Sequence, residues 1–272
     1  MLAAEGITDL NYLSPAAAGT KLFPLYRYDE ACNRTDNITD WALKQFRQHY
    51  ETSVTLPKAT GGSAEPGVQR RSKPLALHSL RSDSGLRRND ETITKEAIFH
   101  YCYAVLHDPL YREKYALNLK REFPRIPFYP DFRQWAAWGE ALMKLHIGYE
   151  AVEPFKLRRS DLPDEKSRAA SLPPKALLRA DKNAGCITLD SETTLRGIPP
   201  AAWDYKLGNR CALEWVLDQY KEKKPKDPTI REKFDTYRFA DYKEKVIDLL
   251  MRITTVSVET ERITQAMKAA AR

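Results

Sequence analysis

The stretch at residues 51–91 constrains the fold most, because it interrupts a chain that is otherwise patterned. It is rich in Gly, Pro, Ser and Arg and has no apolar periodicity. Such a composition buries too little apolar surface to offset the entropy of ordering the chain. We therefore expect a flexible linker or a disordered insertion, with ordered elements on either side of it.

Helical periodicity appears on both sides of this stretch. Before it, Asn37 or Thr39 is a suitable N-cap for a helix that places Trp41 and Phe46 near one apolar edge. After it, apolar residues recur at i, i+4, i+7 and i+8, which predicts a second helix: Ile98, Cys102, Val105 and Leu106.

Asp108 and Pro109 end that helix and predict the start of another, since aspartate caps helices and proline suits the first helical position. Tyr111, Tyr115 and Leu119 would share its buried side. Two prolines within 123–127 then stop it. Asp131 predicts a further helix whose inward residues are Trp135, Trp138, Leu142 and Leu145.

The second half of the chain predicts a small antiparallel sheet followed by helices. Residues 154–174 are charged and proline-rich, which favours a loop, whereas 176–179 and 186–189 predict a β-hairpin with Gly185 at positive φ. A third strand is expected at 193–198. Asn209 is the expected cap of the next helix, and a last helix covers Tyr242–Ile253. Residues 254–258 are mostly β-branched, so the pattern does not decide between helix and strand there.

The pattern predicts an α+β fold, mostly helical with one small antiparallel sheet. We expect four parts: 1–50 leads into the main body, 51–91 is the linker or insertion, 92–150 is a helical subdomain, and 151–272 combines the hairpin with helices. At 272 residues the chain is long enough for one large domain or two small ones.

Composition limits where the protein works and what it binds. No apolar run approaches the roughly 20 residues of a membrane span, and residues 1–10 lack the pattern of a signal peptide. We therefore expect a cytoplasmic protein without a membrane partner. Four scattered cysteines predict reduced thiols rather than disulfides or a zinc site. The net charge of +7 favours polyanionic partners.

Motifs for catalysis are missing from the sequence. It contains neither the Pro-Pro-aromatic turn of adenine methyltransferases nor a glycine-rich phosphate loop. A metal-dependent nuclease could be assembled from Asp131 or Asp164 with Glu222, but such pairs arise by chance in so charged a chain. His100 or His107 could act as a base, although a structural histidine is the simpler explanation. We expect no catalytic residue, no metal site and no cofactor of its own.

A stretch that mixes bases with tyrosines is the best candidate for nucleic-acid contacts. Residues 221–238 contain seven bases and four acids, and lysine and arginine in loops bind DNA phosphates. The candidate phosphate contacts are Lys221, Lys223, Lys224, Lys226, Arg231 and Arg238, with Arg125 and Arg210 as secondary candidates. A steep loss of affinity with added salt is the expected signature.

Three segments carry a resemblance to a known family. They are residues 100–115 (HYCYAVLHDPLYREKY) with 119–127 (LKREFPRIP), residues 204–220 (DYKLGNRCALEWVLDQY), and residues 22–28 (LFPLYRY) together with NITDWA at 37–42. They resemble the C-terminal specificity region of single-polypeptide Type I (ISP) restriction–modification enzymes. Within these segments Tyr111, Phe123, Leu213 and Trp215 are interpreted as core positions.

The resemblance implies a DNA target-recognition module within a larger enzyme. In such enzymes a nuclease, a helicase-like ATPase and an adenine-N6 methyltransferase precede this region, and they use S-adenosylmethionine, ATP and Mg²⁺. The implied partners are double-stranded DNA and the methyltransferase domain or subunit. The insertion at 51–91 departs from the family pattern. An alternative stays open, in which the chain is a fragment or structural subunit that docks on a methyltransferase without binding DNA alone.

Overall fold

The computed structural model describes residues 23–51, 92–222, 227–234 and 237–272, apart from the side chains of residues 166, 168, 231, 233 and 234. The prediction for 51–91 therefore falls outside the described residues except for Glu51. The chain forms two compact units, Leu25–Ile98 and a larger unit that contains Phe99–Arg272. The four-part division expected from the sequence stays a prediction.

The described part of the smaller unit contains a short hairpin and one complete helix. Strand β1 (Tyr26–Tyr28) pairs antiparallel with β2 (Arg34–Asp36), and helix α1 spans Asp40–Glu51. Thr39 caps α1, since its Oγ1 accepts a hydrogen bond from the Ala42 N–H at 3.2 Å. This confirms the predicted helix and one of its two candidate caps.

The predicted apolar edge of α1 is only half right. Phe46 is buried, but Trp41 is 71% exposed within the part of the chain that the structure describes. The helical period assigns residues to a face, and burial additionally requires a neighbour that covers that face.

The first helices of the larger unit follow the predicted boundaries. Helix α2 (Lys95–His107) crosses the boundary between the two units, and α3 (Pro109–Lys114) and α4 (Ala116–Arg121) follow it. Asp108 caps α3 as expected, with its Oδ1 accepting from the Leu110 N–H at 3.1 Å. One expectation was wrong: the chain breaks at Tyr115, which is 37% exposed rather than on the buried side.

Helix α5 (Phe132–Ile147) packs closely against α2. Asp131 caps it by accepting from the Gln134 N–H at 3.0 Å, as predicted. Gly139 lies where a Cβ atom would come within 1.7 Å of the His100 carbonyl oxygen. Only glycine permits this approach of the two backbones.

A four-stranded antiparallel sheet forms the main β part of the larger unit. Its strands are β3 (Arg158–Asp161), β4 (Ala176–Asp181), β5 (Cys186–Asp190) and β6 (Thr193–Arg196), in the order β3-β6-β5-β4. The hairpin β4–β5 and its Gly185 at φ +58° confirm the prediction. The expected loop at 154–174 was wrong in part, because it contains β3 and the short helix α6 (Glu165–Ala169).

Helices complete the larger unit. In chain order the remaining elements are α7 (Ala201–Asp204), β7 (Lys206–Leu207), β8 (Arg210–Cys211), α8 (Ala212–Gln219), α9 (Pro228–Phe234) and α10 (Lys243–Lys268). The open segment 254–258 is helical within α10. Thr254 and Ser257 are buried there because their hydroxyls donate to carbonyls one turn earlier, both at 2.7 Å.

The core of the larger unit lies between one face of the four-stranded sheet and three helices. Leu178, Ile187, Leu189 and Leu195 line the sheet side, and α7, α8 and α10 supply the opposite side, including Trp203, Leu213 and Leu250. The fold is α+β and mostly helical, as expected. Among the described helices, none is long and apolar enough to cross a bilayer.

Candidate nucleic-acid interface

A cleft of about 570 Å³ runs between edge strand β4 and helix α8. It brings together two predicted DNA contacts, Arg210 and Lys221, that are separated in the sequence. Its charged lining residues are Arg179, Lys182, Arg210, Glu214, Asp218 and Lys221. The four bases exceed the two acids, and an excess of positive charge favours contact with a phosphate backbone.

Strand β4 reaches the cleft through an irregularity. Its register with β5 shifts between Ala176 and Arg179, and Leu178 within the shift has φ +45°. A positive φ costs a non-glycine residue about 1–2 kcal/mol. Burial of the Leu178 side chain offsets that cost, since the residue is only 3% exposed and lies in the core. The bulge thereby leaves Arg179 exposed on the wall of the cleft.

Helix α8 begins at the cleft with a capping box. The Cys211 Sγ accepts from the Glu214 N–H at 3.4 Å, and a Glu214 carboxylate oxygen accepts from the Cys211 N–H at 3.2 Å. The expectation of Asn209 as the cap was wrong. Asn209 lies in the two-residue turn between β7 and β8, where Gly208 has φ +70°.

The bases of the cleft are mostly paired with its two acids. Asp218 accepts from Arg210 at 2.9 Å and from Lys221 at 3.3 Å. These hydrogen bonds lower the pKa of the Asp218 carboxyl, and the bond from Arg210 has the larger effect. Lys182 lies 3.0 Å from Glu214, and this hydrogen bond raises the pKa of the lysine. The excess positive charge of the cleft is therefore largely compensated within the protein.

The other predicted contacts are not gathered at this cleft. Arg125 is 93% exposed at its side chain and lies 3.7 Å from Glu122, in the segment after α4. Arg238 is exposed and donates to the Tyr237 carbonyl at 2.9 Å. Lys223, Lys224 and Lys226 lie outside the described residues, as does the side chain of Arg231, whose backbone belongs to α9.

Sequence reasoning overlooked Arg179 and Lys182 of the β4–β5 hairpin. The signal was available, because both residues fall in the predicted hairpin beside its turn. The interpretation as core positions was wrong for two residues, because Trp215 is 47% exposed and Phe123 is 66% exposed. Tyr111 and Leu213 are buried, as expected.

The residues of the nuclease hypothesis have structural partners. Asp131 caps α5, and Asp164 accepts from both the N–H and the hydroxyl of Ser167. Glu222 accepts from the Phe239 N–H at 2.9 Å. Within the described ranges, no group of three or more His, Cys, Asp or Glu side chains is arranged to hold a metal ion.

His107 and His146 form a buried cluster with Tyr103. The His107 Nδ1 is 2.8 Å from the Tyr103 carbonyl, and the Tyr103 hydroxyl is 2.7 Å from the His146 Nδ1. The second nitrogen of His146 is 2.9 Å from the Thr260 hydroxyl of α10. Burial lowers the pKa of His107 to about 3 and that of His146 to about 4. Both rings are therefore neutral at neutral pH and join α2, α5 and α10.

The sequence and the fold of this chain match those of known proteins. The profile of the Type ISP C-terminal specificity domain matches residues 1–249. In a DrdV–DNA complex solved by electron cryomicroscopy, a chain 51% identical to this one superposes with a TM-score of 0.73; the match covers 92% of this chain and 22% of that one. A search of curated protein sequences found no significant match.

Two further solved structures share the fold. A nuclease-deletion mutant of the Type ISP restriction–modification enzyme LlaGI, in complex with a DNA substrate mimic, is 26% identical over 66% of this chain and 14% of its own, with a TM-score of 0.51. The ATP-dependent Type ISP enzyme LlaBIII, bound to DNA, is 23% identical over 65% of this chain and 11% of its own, also at 0.51. This chain thus spans a small part of each relative. It belongs to the family of Type ISP C-terminal specificity domains.

Proposed function

We propose that the chain is the DNA target-recognition module of a restriction–modification enzyme, and that it gives sequence specificity to an adenine-N6 methyltransferase and a helicase–nuclease. The observation that carries the proposal is the 51% identity, across 92% of the chain, to part of a DrdV–DNA complex. At that identity the backbone and most surface loops are expected to correspond. The module therefore works on double-stranded DNA.

In this proposal, methylation and DNA cleavage are carried out by other parts of the enzyme. The match covers 22% of the DrdV chain, which leaves most of a relative's length for catalytic domains. A methyltransferase domain or subunit is the expected protein partner. S-adenosylmethionine, ATP and Mg²⁺ would act there, and the specificity module would supply the positioning on DNA. With cellular DNA as its substrate, the module would work in the cytoplasm.

The first experiment measures binding of labelled duplex DNA by fluorescence anisotropy over a range of salt concentrations. Each phosphate that the protein neutralises contributes about −0.9 to the slope of log K against log salt. We expect measurable binding at low ionic strength and a negative slope. A chain that binds no duplex at low salt, or binds without a salt slope, contradicts the proposal.

The second experiment tests recognition rather than general affinity. Duplexes with a randomised centre are bound to the protein at moderate salt, recovered, amplified and sequenced over several rounds. We expect one short asymmetric sequence to be enriched, because base contacts discriminate by about 1–3 kcal/mol each. Recovery of an unenriched pool, despite clear binding, shows a DNA-binding protein that does not read sequence.

A further inference from the structure

The four-stranded sheet has an outer face, opposite the core, that carries two rows of polar side chains. Strand pairing aligns Ser160, Thr194, Thr188 and Arg179 in one row, across all four strands. It aligns Arg158, Arg196, Cys186 and Asp181 in the next row. Residues in register point to the same side of a sheet, and residues two apart along a strand share that side. We call these eight residues the outer sheet face; Arg179, on edge strand β4, also borders the cleft.

Burial agrees with this assignment. The core takes Ile187, Leu189 and Leu195, which alternate with residues of the two rows. Cys186 is buried but does not join the core cluster, as expected for a residue that points the other way. Arg158, Arg179 and Arg196 are exposed, and the three hydroxyl residues between them are half-buried.

The three arginines of this face have no carboxylate within 4.0 Å among the residues that the structure describes. The contrast is with Arg159, the neighbour of Arg158, which points to the core side and pairs with Asp161 at 2.8 Å and Glu244 at 2.7 Å. The cleft bases Lys182, Arg210 and Lys221 are paired as well. Charge on the outer sheet face is therefore left uncompensated.

Two of these arginines are held directly opposite each other. Arg158 on β3 is the register partner of Arg196 on β6. Opposed residues of an antiparallel pair have Cβ atoms about 5 Å apart, and like charges in that position are destabilising. An anion bound between the two guanidinium groups removes the repulsion, so this arrangement favours the bound state over the free one.

We propose that the outer sheet face binds the sugar–phosphate backbone of duplex DNA and sets the orientation of the module on its target. This inference rests on the proposed function and names its surface. Arginine with serine and threonine hydroxyls is the set of side chains that contacts phosphate oxygens in protein–DNA complexes. A row across four strands extends about 14 Å at the usual spacing of about 4.8 Å, which is enough to reach several phosphates along one strand.

The test compares two double variants that change net charge equally. Arg158→Gln/Arg196→Gln removes two bases from the outer sheet face, and Lys144→Gln/Arg262→Gln removes two paired bases, one on α5 and one on α10, that belong to neither the outer sheet face nor the cleft. We expect the first to reduce the salt slope by about 2 and to weaken binding at moderate salt roughly tenfold. The second is expected to change the slope by less than about 0.5, since its bases are already paired with Glu140 and Glu259.

A third variant tests the same surface through a gain of affinity, which misfolding cannot mimic. Asp181 is the one acid among the eight residues of the outer sheet face, and its Oδ1 accepts from the Ala184 N–H at 3.0 Å in the turn. Asp181→Asn keeps an acceptor there and removes the charge. Duplex binding is expected to become about two- to fivefold tighter. Circular dichroism and thermal melting verify that all variants are folded.

The outcomes separate this inference from the proposed function. If the unmodified chain binds duplex with a salt slope, but the Arg158/Arg196 variant keeps that slope, the surface is wrong and the function stands. Equal loss in both double variants also overturns the inference, because net charge alone then explains the effect. A chain that does not bind duplex at all overturns both proposals.

Discussion

Replacing Arg272 by alanine is expected to destabilise the larger unit by about 3 kcal/mol. Its Nη2 lies 2.7 Å from one oxygen of Asp108, and its Nε lies 3.1 Å from the other. The Asp108 side chain is fully buried, whereas that of Arg272 is 24% exposed. Removing one partner of a buried ion pair leaves an uncompensated charge and costs about 3–5 kcal/mol.

The expected loss falls at the lower end of that range because Asp108 keeps other donors. The Tyr129 hydroxyl donates to it at 3.2 Å, and the Leu110 N–H donates at 3.1 Å. Arg272 also donates to the carbonyl of Met267 at 2.8 Å, near the end of α10. The arginine thus ties the end of α10 to the start of α3.

Urea denaturation at neutral pH measures the change in the free energy of unfolding. Tryptophan fluorescence is a suitable signal, because the Arg272 guanidinium lies 5.8 Å from the centre of the Trp135 ring. Arg262→Ala is the matched control, since it removes an arginine from α10 that is 68% exposed and pairs with Glu259 at 2.8 Å. The control is expected to change stability by no more than about 0.5 kcal/mol.

A double-mutant cycle isolates the charge. Asp108→Asn retains an oxygen for the Leu110 N–H but removes the negative charge, so adding Arg272→Ala leaves no buried ion. The double variant is expected to be more stable than the sum of the single losses by about 2 kcal/mol. An Arg272→Ala variant no less stable than the Arg262→Ala control, or additive losses in the cycle, would refute the reasoning.

Three further predictions concern packing, titration and capping. Gly139→Ala is expected to lower the melting temperature and cost about 1–3 kcal/mol, because the new Cβ meets the His100 carbonyl; an unchanged melting curve contradicts the close packing of α2 and α5. Burial depresses the pKa of His146 from 6.5 to about 4, so the unfolded chain binds a proton in this window that the folded protein does not. The contribution of His146 to stability is expected to be level above pH 6.5 and to fall by about 3 kcal/mol as the pH drops towards 4. In denaturation curves at several pH values, His146→Gln should therefore show a smaller loss of stability with falling pH than the unmodified protein, and an equal loss contradicts the prediction. Glu214→Ala removes the capping box of α8 and is expected to cost about 1 kcal/mol in urea denaturation, whereas Glu214→Gln should retain most of the stability.

Features set by neighbouring residues could be predicted from the sequence. Asp108 and Asp131 cap helices through N–H groups two or three residues away, so the chemistry is visible in a short segment. The hairpin at Gly185 is equally local, because its turn requires a positive φ. The same holds for the periodicity of α2, whose Ile98 and Val105 are buried as expected.

Features set by distant partners could not be predicted. Strand β3 has the polar sequence RRSD, and only its pairing with β6 identifies it as a strand. Helix α8 is capped by Cys211 rather than Asn209 because the pairing of β7 with β8 uses Asn209 in its turn. Trp41 has an apolar side chain at a helical interval, yet nothing within the described residues covers it.

The candidate site illustrates the same limit. The sequence suggests residues 221–238 as the DNA contact because their bases are close together. The same segment contains four acids beside its seven bases. Lys221 and Arg210 lie in one cleft, as a DNA site would require, and there both are paired with Asp218. The approach of Arg210 to the other two residues depends on the fold, so the sequence alone does not show it.

The pairing of each base decides how much it contributes to DNA binding. A paired lysine must exchange a carboxylate for a phosphate, so its net gain is the difference between two similar interactions. An unpaired arginine gains the whole interaction and releases a counterion from the DNA. Arg158, Arg179 and Arg196 are spread along the sequence and form no basic run, but antiparallel pairing gathers them on one face with a single acid. A surface built in this way attracts phosphate more strongly than a denser but compensated basic segment, and for that reason the outer sheet face is the first place to mutate.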